Sequence, residues 1–309
     1  MVGTDESLPQ RNDKRQGMSR RRRWLLRLAA ALLLWWGLGL LTAHVATRPH
    51  PSEIVPRAEI GGRKVEDVSV STTDRLTVRG WLVDVPVDAS RDEQRCVILC
   101  AGIRGNRQRL LSRAKFYQEL GWSTLLVDLR GTGASDGARI SMGWHEADDL
   151  VAWRLLLRNR GYTKIGVHGQ SLGAAAAVYT STRMPTPPDW SFMVLEACYL
   201  DITSALRARL FGLPEFLLWP VIRNAEWLLG VDAEDLSPLI AMRRHSAPTF
   251  FVCGTLDDKV GHDATTQLMD ALPARDKVHY HVPDVAHKDL WRPGGTALRN
   301  ALREFLQRR

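Results

Sequence analysis

Cysteine is scarce in this chain: Cys96, Cys100, Cys198 and Cys253 are the four thiols in 309 residues. That is too few for a disulfide-stapled scaffold. Cys96 and Cys100 fall four apart on one expected strand, about 13 Å at about 3.3 Å per residue, too far for a disulfide. No zinc-type spacing is present, so no metal is expected, and the thiols read as small buried hydrophobes, with a pairing of Cys198 or Cys253 to another cysteine left open. Internal repeats are missing as well. So is any RNA- or DNA-binding signature, which excludes nucleic acid as the partner despite a net charge of +8. Much of that charge is local. Residues 1–27 hold eight basic and three acidic side chains, so the tail carries +5 of the total.

Acidic residues, lysine and arginine are all absent from Leu28 to Ala46. Counted from Trp24, with Arg27 able to snorkel, this apolar run is long enough to cross a bilayer. The Arg20–Arg23 cluster before it predicts a cytoplasmic N-terminus and an extracytoplasmic remainder of the chain. A cleavable signal peptide fits less well, because His44 or Leu41 would stand where small residues are wanted. The arginines before Trp24 bear only a faint likeness to a twin-arginine signal. The expected organisation is therefore a basic, disordered cytoplasmic tail (1–23), a transmembrane signal-anchor (24–46) and a Pro- and Gly-bearing linker (47–63). One domain (64–309) follows.

That domain alternates strand and helix. Val65–Ser71 and Leu76–Val85 read as antiparallel edge strands. Arg95–Ala101, Trp122–Leu129, Lys164–His168, Phe192–Ala197, Pro248–Cys253 and Val278–Val282 read as further strands. Helices are expected at Arg107–Leu120, Met142–Arg160 and Gly295–Gln307. Such alternation predicts an α/β fold, a mainly parallel sheet with helices on both faces. Residues 201–245 interrupt it with apolar helical segments, Ala205–Phe211, Pro214–Leu229 and Leu239–Arg244. They read as a helical cap over the strand C-termini, where open α/β sheets bind ligands.

The chemistry centres on Lys164 to Val178. A short apolar strand runs into Gly169-Gln170-Ser171-Leu172-Gly173, and a small-residue helix follows. G-x-S-x-G between strand and helix is a nucleophile elbow, which lifts the serine hydroxyl above the sheet edge at a helix N-terminus. Gly133-Ala134-Ser135-Asp136-Gly137 matches the same pattern. It sits in a loop that starts no helix, so Ser171 is preferred to Ser135.

A serine nucleophile needs a base, and the base needs an orienting acid. The order for this architecture is Ser, acid, His. The strand Phe250–Cys253 ends in Gly254-Thr255-Leu256-Asp257-Asp258, which offers Asp257 first and Asp258 as the alternative. His287 follows on a loop after the next strand. His262 comes too soon after Asp257, and His279 and His281 lie within the strand. His168 belongs to the elbow strand, as a sheet or core residue. An oxyanion hole would take the backbone N–H of Leu172 and a second from the loop Ala101–Asn106, through Ile103.

These pieces resemble the α/β-hydrolase superfamily, and within it the membrane-anchored serine hydrolases of the acyl esterase and serine aminopeptidase-like branch. The resemblance is carried by Val127-Asp128-Leu129-Arg130-Gly131-Thr132-Gly133-Ala134-Ser135-Asp136-Gly137, Gly169–Gly173, Gly254–Val260 and Ala286-His287, and it extends over nearly all of 64–309. It implies that the Ser135 loop is distinct from the nucleophile and that the acid is Asp257. One departure is Ala101-Gly102, where the superfamily usually has His-Gly. The implied reaction is hydrolysis of an ester, thioester or amide through an acyl-enzyme, with Ser171 attacking, His287 as base and Asp257 orienting it. No cofactor is required. The substrate would be a small molecule or an acylated one, and the apolar cap suggests an apolar acyl group. Two other readings are an aminopeptidase, with Glu226, Asp232, Glu234 or Asp235 holding an ammonium, and a catalytically silent binding protein on a membrane tether.

Overall fold

Alternating apolar strands dictate the sheet, and the strand order follows from how their connections cross it. The computed structural model describes residues 19–86, 93–210 and 212–309. The strands are β1 (Glu66–Ser71), β2 (Thr77–Val83), β3 (Arg95–Cys100), β4 (Ser123–Val127), β5 (Lys164–Gln170), β6 (Met193–Glu196), β7 (Thr249–Gly254) and β8 (Lys277–Val282). They form one eight-stranded sheet in the order β1-β2-β4-β3-β5-β6-β7-β8. β2 runs antiparallel to both neighbours, and every other pairing is parallel. This is the α/β-hydrolase fold expected from the sequence.

The helices are α1 (Arg20–Thr47), α2 (Leu111–Glu119), α3 (Glu146–Asn159), α4 (Leu172–Tyr179), α5 (Ile202–Arg209), α6 (Glu215–Leu229), α7 (Pro238–Met242), α8 (His262–Ala271) and α9 (Trp291–Leu306). Both sheet faces are covered, so β3 to β7 are apolar almost throughout. One core layer holds Trp153, Ala174, Phe251 and Leu268, from α3, α4, β7 and α8. The other holds Phe116, Tyr117, Trp291 and Phe305, from α2 and α9.

Two helix starts differ from the sequence pattern, for backbone reasons. The expected helix from Met142 begins only at Glu146, because Met142 and Gly143 both have positive φ. The Glu146 carboxylate then accepts hydrogen bonds from the amides of Ser141 and Gly143, at 2.8 and 2.9 Å. The last helix begins at Trp291, four residues early, and bends at Gly295, where φ is 54°. The segment at 201–245 forms α5, α6 and α7; Phe211, expected at the end of its first helix, lies outside the described residues, as do residues 1–18 of the tail.

Helix α1 is 28 residues long and apolar enough to cross a membrane. Most of it is exposed, but its C-terminal part is docked. Gly39, Ala43 and Thr47 are buried. A Cβ on Gly39 would run into Pro220 of α6. Trp35 stacks on Trp219 with ring centres 6.1 Å apart. Ala43 shares a small core with Ile202, Leu206, Val221 and Leu229 of α5 and α6. The chain after α1 is laid along the domain: His50–Pro51 pair in parallel with Thr132–Gly133. Ser52 and Val55 are bonded to the side chains of Asn106 and Gln108.

Candidate active site

The elbow is tight because three backbones meet in it. Ser171 has φ 49° and ψ −106°, strained for a residue with a side chain, and it stands at the N-terminus of α4. A Cβ at position 173 would lie 2.7 Å from the Cys100 carbonyl oxygen of β3, and one at 169 would strike the Gly173 carbonyl. Glycine at both places is what lets β5, α4 and β3 close up. The Ser171 amide donates to the Glu196 carbonyl at 2.7 Å, which ties the elbow to the end of β6.

The acid and the histidine meet at the ends of β7 and β8. His287 Nδ1 and Asp257 Oδ2 are 2.9 Å apart. Asp257 Oδ1 accepts from the amides of Lys259 and Val260, at 3.0 and 2.9 Å. Burial alone would raise the Asp257 carboxyl. The hydrogen bond and charge of His287 and the two amides outweigh it and hold the group below the ordinary carboxylate range. Asp258, the alternative acid, makes no such bond to His287. Among the described residues the Ser171 hydroxyl makes no hydrogen bond; contacts of this kind are often loose without substrate and close in its presence.

Ser171 opens into a cavity of about 330 Å³. Ile103 and Leu172, the residues expected to supply oxyanion donors, both line it. Gly102 lets their loops approach, since a Cβ there would sit 3.3 Å from Ser171 Cβ. Met142, Ile202, Ala205 and Leu206 make the walls apolar, and Ala46 of α1 reaches the rim. Three cations, Arg104, Arg209 and Lys259, also line it. Among the described residues none of them is paired with a carboxylate. A larger open depression of about 820 Å³, at Asp84, Arg95 and Tyr162, lies at the starts of β3 and β4. It is at the opposite end of the strands from Ser171 and holds none of the expected groups.

Ser135 is placed elsewhere and is fully engaged. Its hydroxyl donates to the Asp128 carbonyl at 2.7 Å and accepts from the Arg79 amide at 2.8 Å. The carboxylates proposed to grip an ammonium are also occupied or distant. Glu226 pairs with Arg223 and accepts from the Ala233 amide, and none of Glu226, Asp232, Glu234 and Asp235 lines the cavity.

A sequence model of the prolyl oligopeptidase family matches residues 108–291, more than half of the chain. The chain belongs to that family. Protein YqkD of Bacillus subtilis is 30% identical over 190 residues, a match spanning 59% of this chain and 61% of YqkD. Protein Rv2307c of Mycobacterium tuberculosis is 28% identical over 261 residues, 84% of this chain and 82% of its own. Among solved structures, the esterase Pf2001 of Pyrococcus furiosus superposes with a TM-score of 0.66 at 22% identity, over 84% of this chain and 98% of the esterase. At that identity the likeness is one of fold. Family and fold together make the chain a serine-hydrolase-like α/β hydrolase.

One group near the site escaped the sequence reading. A buried network of Arg113, Glu196, His168 and Tyr117 lies beneath the elbow and reaches the exposed Asp289. Its signal was present: Glu196 is a lone carboxylate closing an apolar strand, which a folded chain tolerates only when it is paired.

Proposed function

We propose that this protein is a membrane-anchored serine hydrolase that cleaves an ester or thioester of an apolar acyl group. The observation that carries the reading is the strained Ser171, set at a helix N-terminus and facing an apolar cavity. In this reading His287 takes the hydroxyl proton through Nε2, since Nδ1 faces Asp257. Ser171 attacks the carbonyl carbon, and the N–H groups of Ile103 and Leu172 receive the developing oxyanion. His287 returns the proton to the leaving group, and water repeats the sequence to free the acid. Losing one oxyanion donor from such a site costs about a hundredfold or more in rate.

The unpaired Arg104, Arg209 and Lys259 favour a substrate carrying negative charge beside the scissile bond, and they disfavour the free ammonium of an aminopeptidase substrate. Helix α1 holds the domain to the bilayer, with Arg20–Arg23 on the cytoplasmic side and the cavity outside. The cavity rim at Ala46 then lies where the helix leaves the membrane, beside a cap whose Phe216 and Trp219 are 66% and 49% exposed. An acylated anionic amphiphile suits such a mouth.

The test is labelling of the full chain in detergent with a fluorophosphonate, beside Ser171→Ala and Ser135→Ala. Labelling lost in Ser171→Ala alone supports the reading. Labelling lost in Ser135→Ala alone moves the nucleophile, and an unlabelled but folded wild type leaves a binding protein.

A further inference from the structure

Parallel strands β7 and β8 carry a group of side chains that the proposed hydrolysis does not use. Cys253 of β7 stands in register with His281 of β8. His279 is two residues earlier on β8, so strand geometry puts both imidazoles on one face. Cys253 Sγ lies 3.2 Å from His279 Nε2. One donor atom from each of Cys253, His279 and His281 falls within 4.8 Å of the others. The rings of His279 and His281 are 4.0 Å apart. His262, at the start of α8, stacks on His279 at 5.2 Å and bonds His281 through Nδ1 to Nε2 at 2.7 Å.

The donor atoms face one another, Cys253 Sγ toward His279 Nε2 and His262 Nδ1 toward His281 Nε2, as ligands gathered around one ion would. A purely structural cluster would be expected to bring a carboxylate to such rings. None bonds them among the described residues.

We propose that Cys253, His279 and His281 form a site for a divalent transition ion of borderline softness, Zn²⁺ in the first instance, with His262 as a fourth donor. Thiolate plus imidazole is the ligand chemistry that suits zinc and disfavours magnesium or calcium. On binding, Cys253 releases its thiol proton to solvent, and the sulfur forms the metal bond as thiolate. The ion would clip β7 to β8, four residues before Asp257 and six before His287, and so brace the two loops that bring that pair together. In the sequence only His279-Tyr280-His281 points to the site, because the other donors come from a second strand and a helix start.

The experiment titrates the full chain in detergent with Co²⁺ and Zn²⁺, each alone. Expected are a thiolate-to-cobalt charge-transfer band saturating at one ion per chain, its displacement by Zn²⁺, and a rise in melting temperature with Zn²⁺. Cys253→Ala should abolish the band, and His281→Gln at the surface should weaken binding tenfold or more. Far-ultraviolet circular dichroism of each variant reports whether it is folded. Absence of the band in wild type would overturn the proposal, as would Co²⁺ binding that both variants leave unchanged.

Discussion

Arg113 and Glu196 meet through a two-point ion pair, Nε to Oε1 at 2.9 Å and Nη2 to Oε2 at 2.6 Å, with both side chains out of reach of solvent. The pair serves both halves of the candidate site. The Glu196 carbonyl takes the Ser171 amide, while the second face of Arg113 Nη2 holds Asp289, two residues beyond His287, at 2.6 Å. His168 completes the network, with Nε2 at 2.6 Å from Glu196 and Nδ1 at 3.0 Å from the Tyr117 hydroxyl. Burial drives the His168 imidazole down, so it stays neutral and accepts from Tyr117. Burial would raise Glu196, but Arg113 and His168 outweigh it and hold the carboxyl at about 2.

Removing either member takes the two-point partner from a buried charge, leaving Arg113 only Asp289 or Glu196 only His168. Arg113→Met and Glu196→Leu, taken singly, should each cost about 3–5 kcal/mol, the usual scale for a broken buried pair. The double variant should lose less than the sum, because no unpaired charge remains between them. Denaturant midpoints of the four proteins make the cycle. Additive losses would show that the two side chains are not coupled.

Acid should weaken the fold through His245. Burial lowers this imidazole from 6.5 to about 4, while its Nε2 lies 2.7 Å from the Val178 carbonyl. Its folded pKa is depressed, so its contribution is full above 6.5 and is lost as pH falls from 6.5 toward 4, where only the unfolded chain takes up the proton. His245→Gln should flatten the melting temperature against pH in that window, and the comparison with wild type cancels the other titrating groups. Parallel profiles would contradict the assignment.

The fold was legible in the sequence because its signals are local. Apolar runs of strand length and the glycines at 169 and 173 are readable without tertiary knowledge. The elements that were missed depend on side-chain caps and backbone pairings that periodicity does not show. Helix α3 starts late because Glu146 caps a turn made by residues 141–143. Residues 47–63 read as a linker by their prolines and glycines, yet His50 and Pro51 find pairing partners some eighty residues on. The cations of the cavity come from three separate segments, and their common environment exists only after folding.

Those cations should set substrate charge. Arg209→Gln and Lys259→Gln should raise KM for an acyl ester with an anionic leaving group by about tenfold each, roughly one lost charge contact of about 1.4 kcal/mol. A neutral ester of the same acyl chain should suffer far less. Added salt should erode the difference between the two substrates in wild type, since partly exposed charges are screened. Equal losses on both esters would mean that the side chains shape the cavity and do not read charge.

The contact between α1 and α6 carries the last prediction. Gly39 leaves no room for a side chain against Pro220, and Trp35 and Trp36 both flank Trp219, with ring centres 6.1 and 5.5 Å away. Small residues of this kind let two helices approach closely. Gly39→Leu must therefore push α6 away from α1, and it disturbs Ala43 and the rim at Ala46 on the same stretch of helix. Ser171, Asp257 and His287 lie on the sheet ends and do not depend on that contact. A small soluble fluorophosphonate should still label Gly39→Leu at the wild-type rate, while cleavage of an acylated amphiphile presented in vesicles should fall several-fold. If both rates fall together, the helix pair supports the whole domain. If neither changes, the cavity is loaded from water and the packing of α6 on α1 has no part in substrate entry.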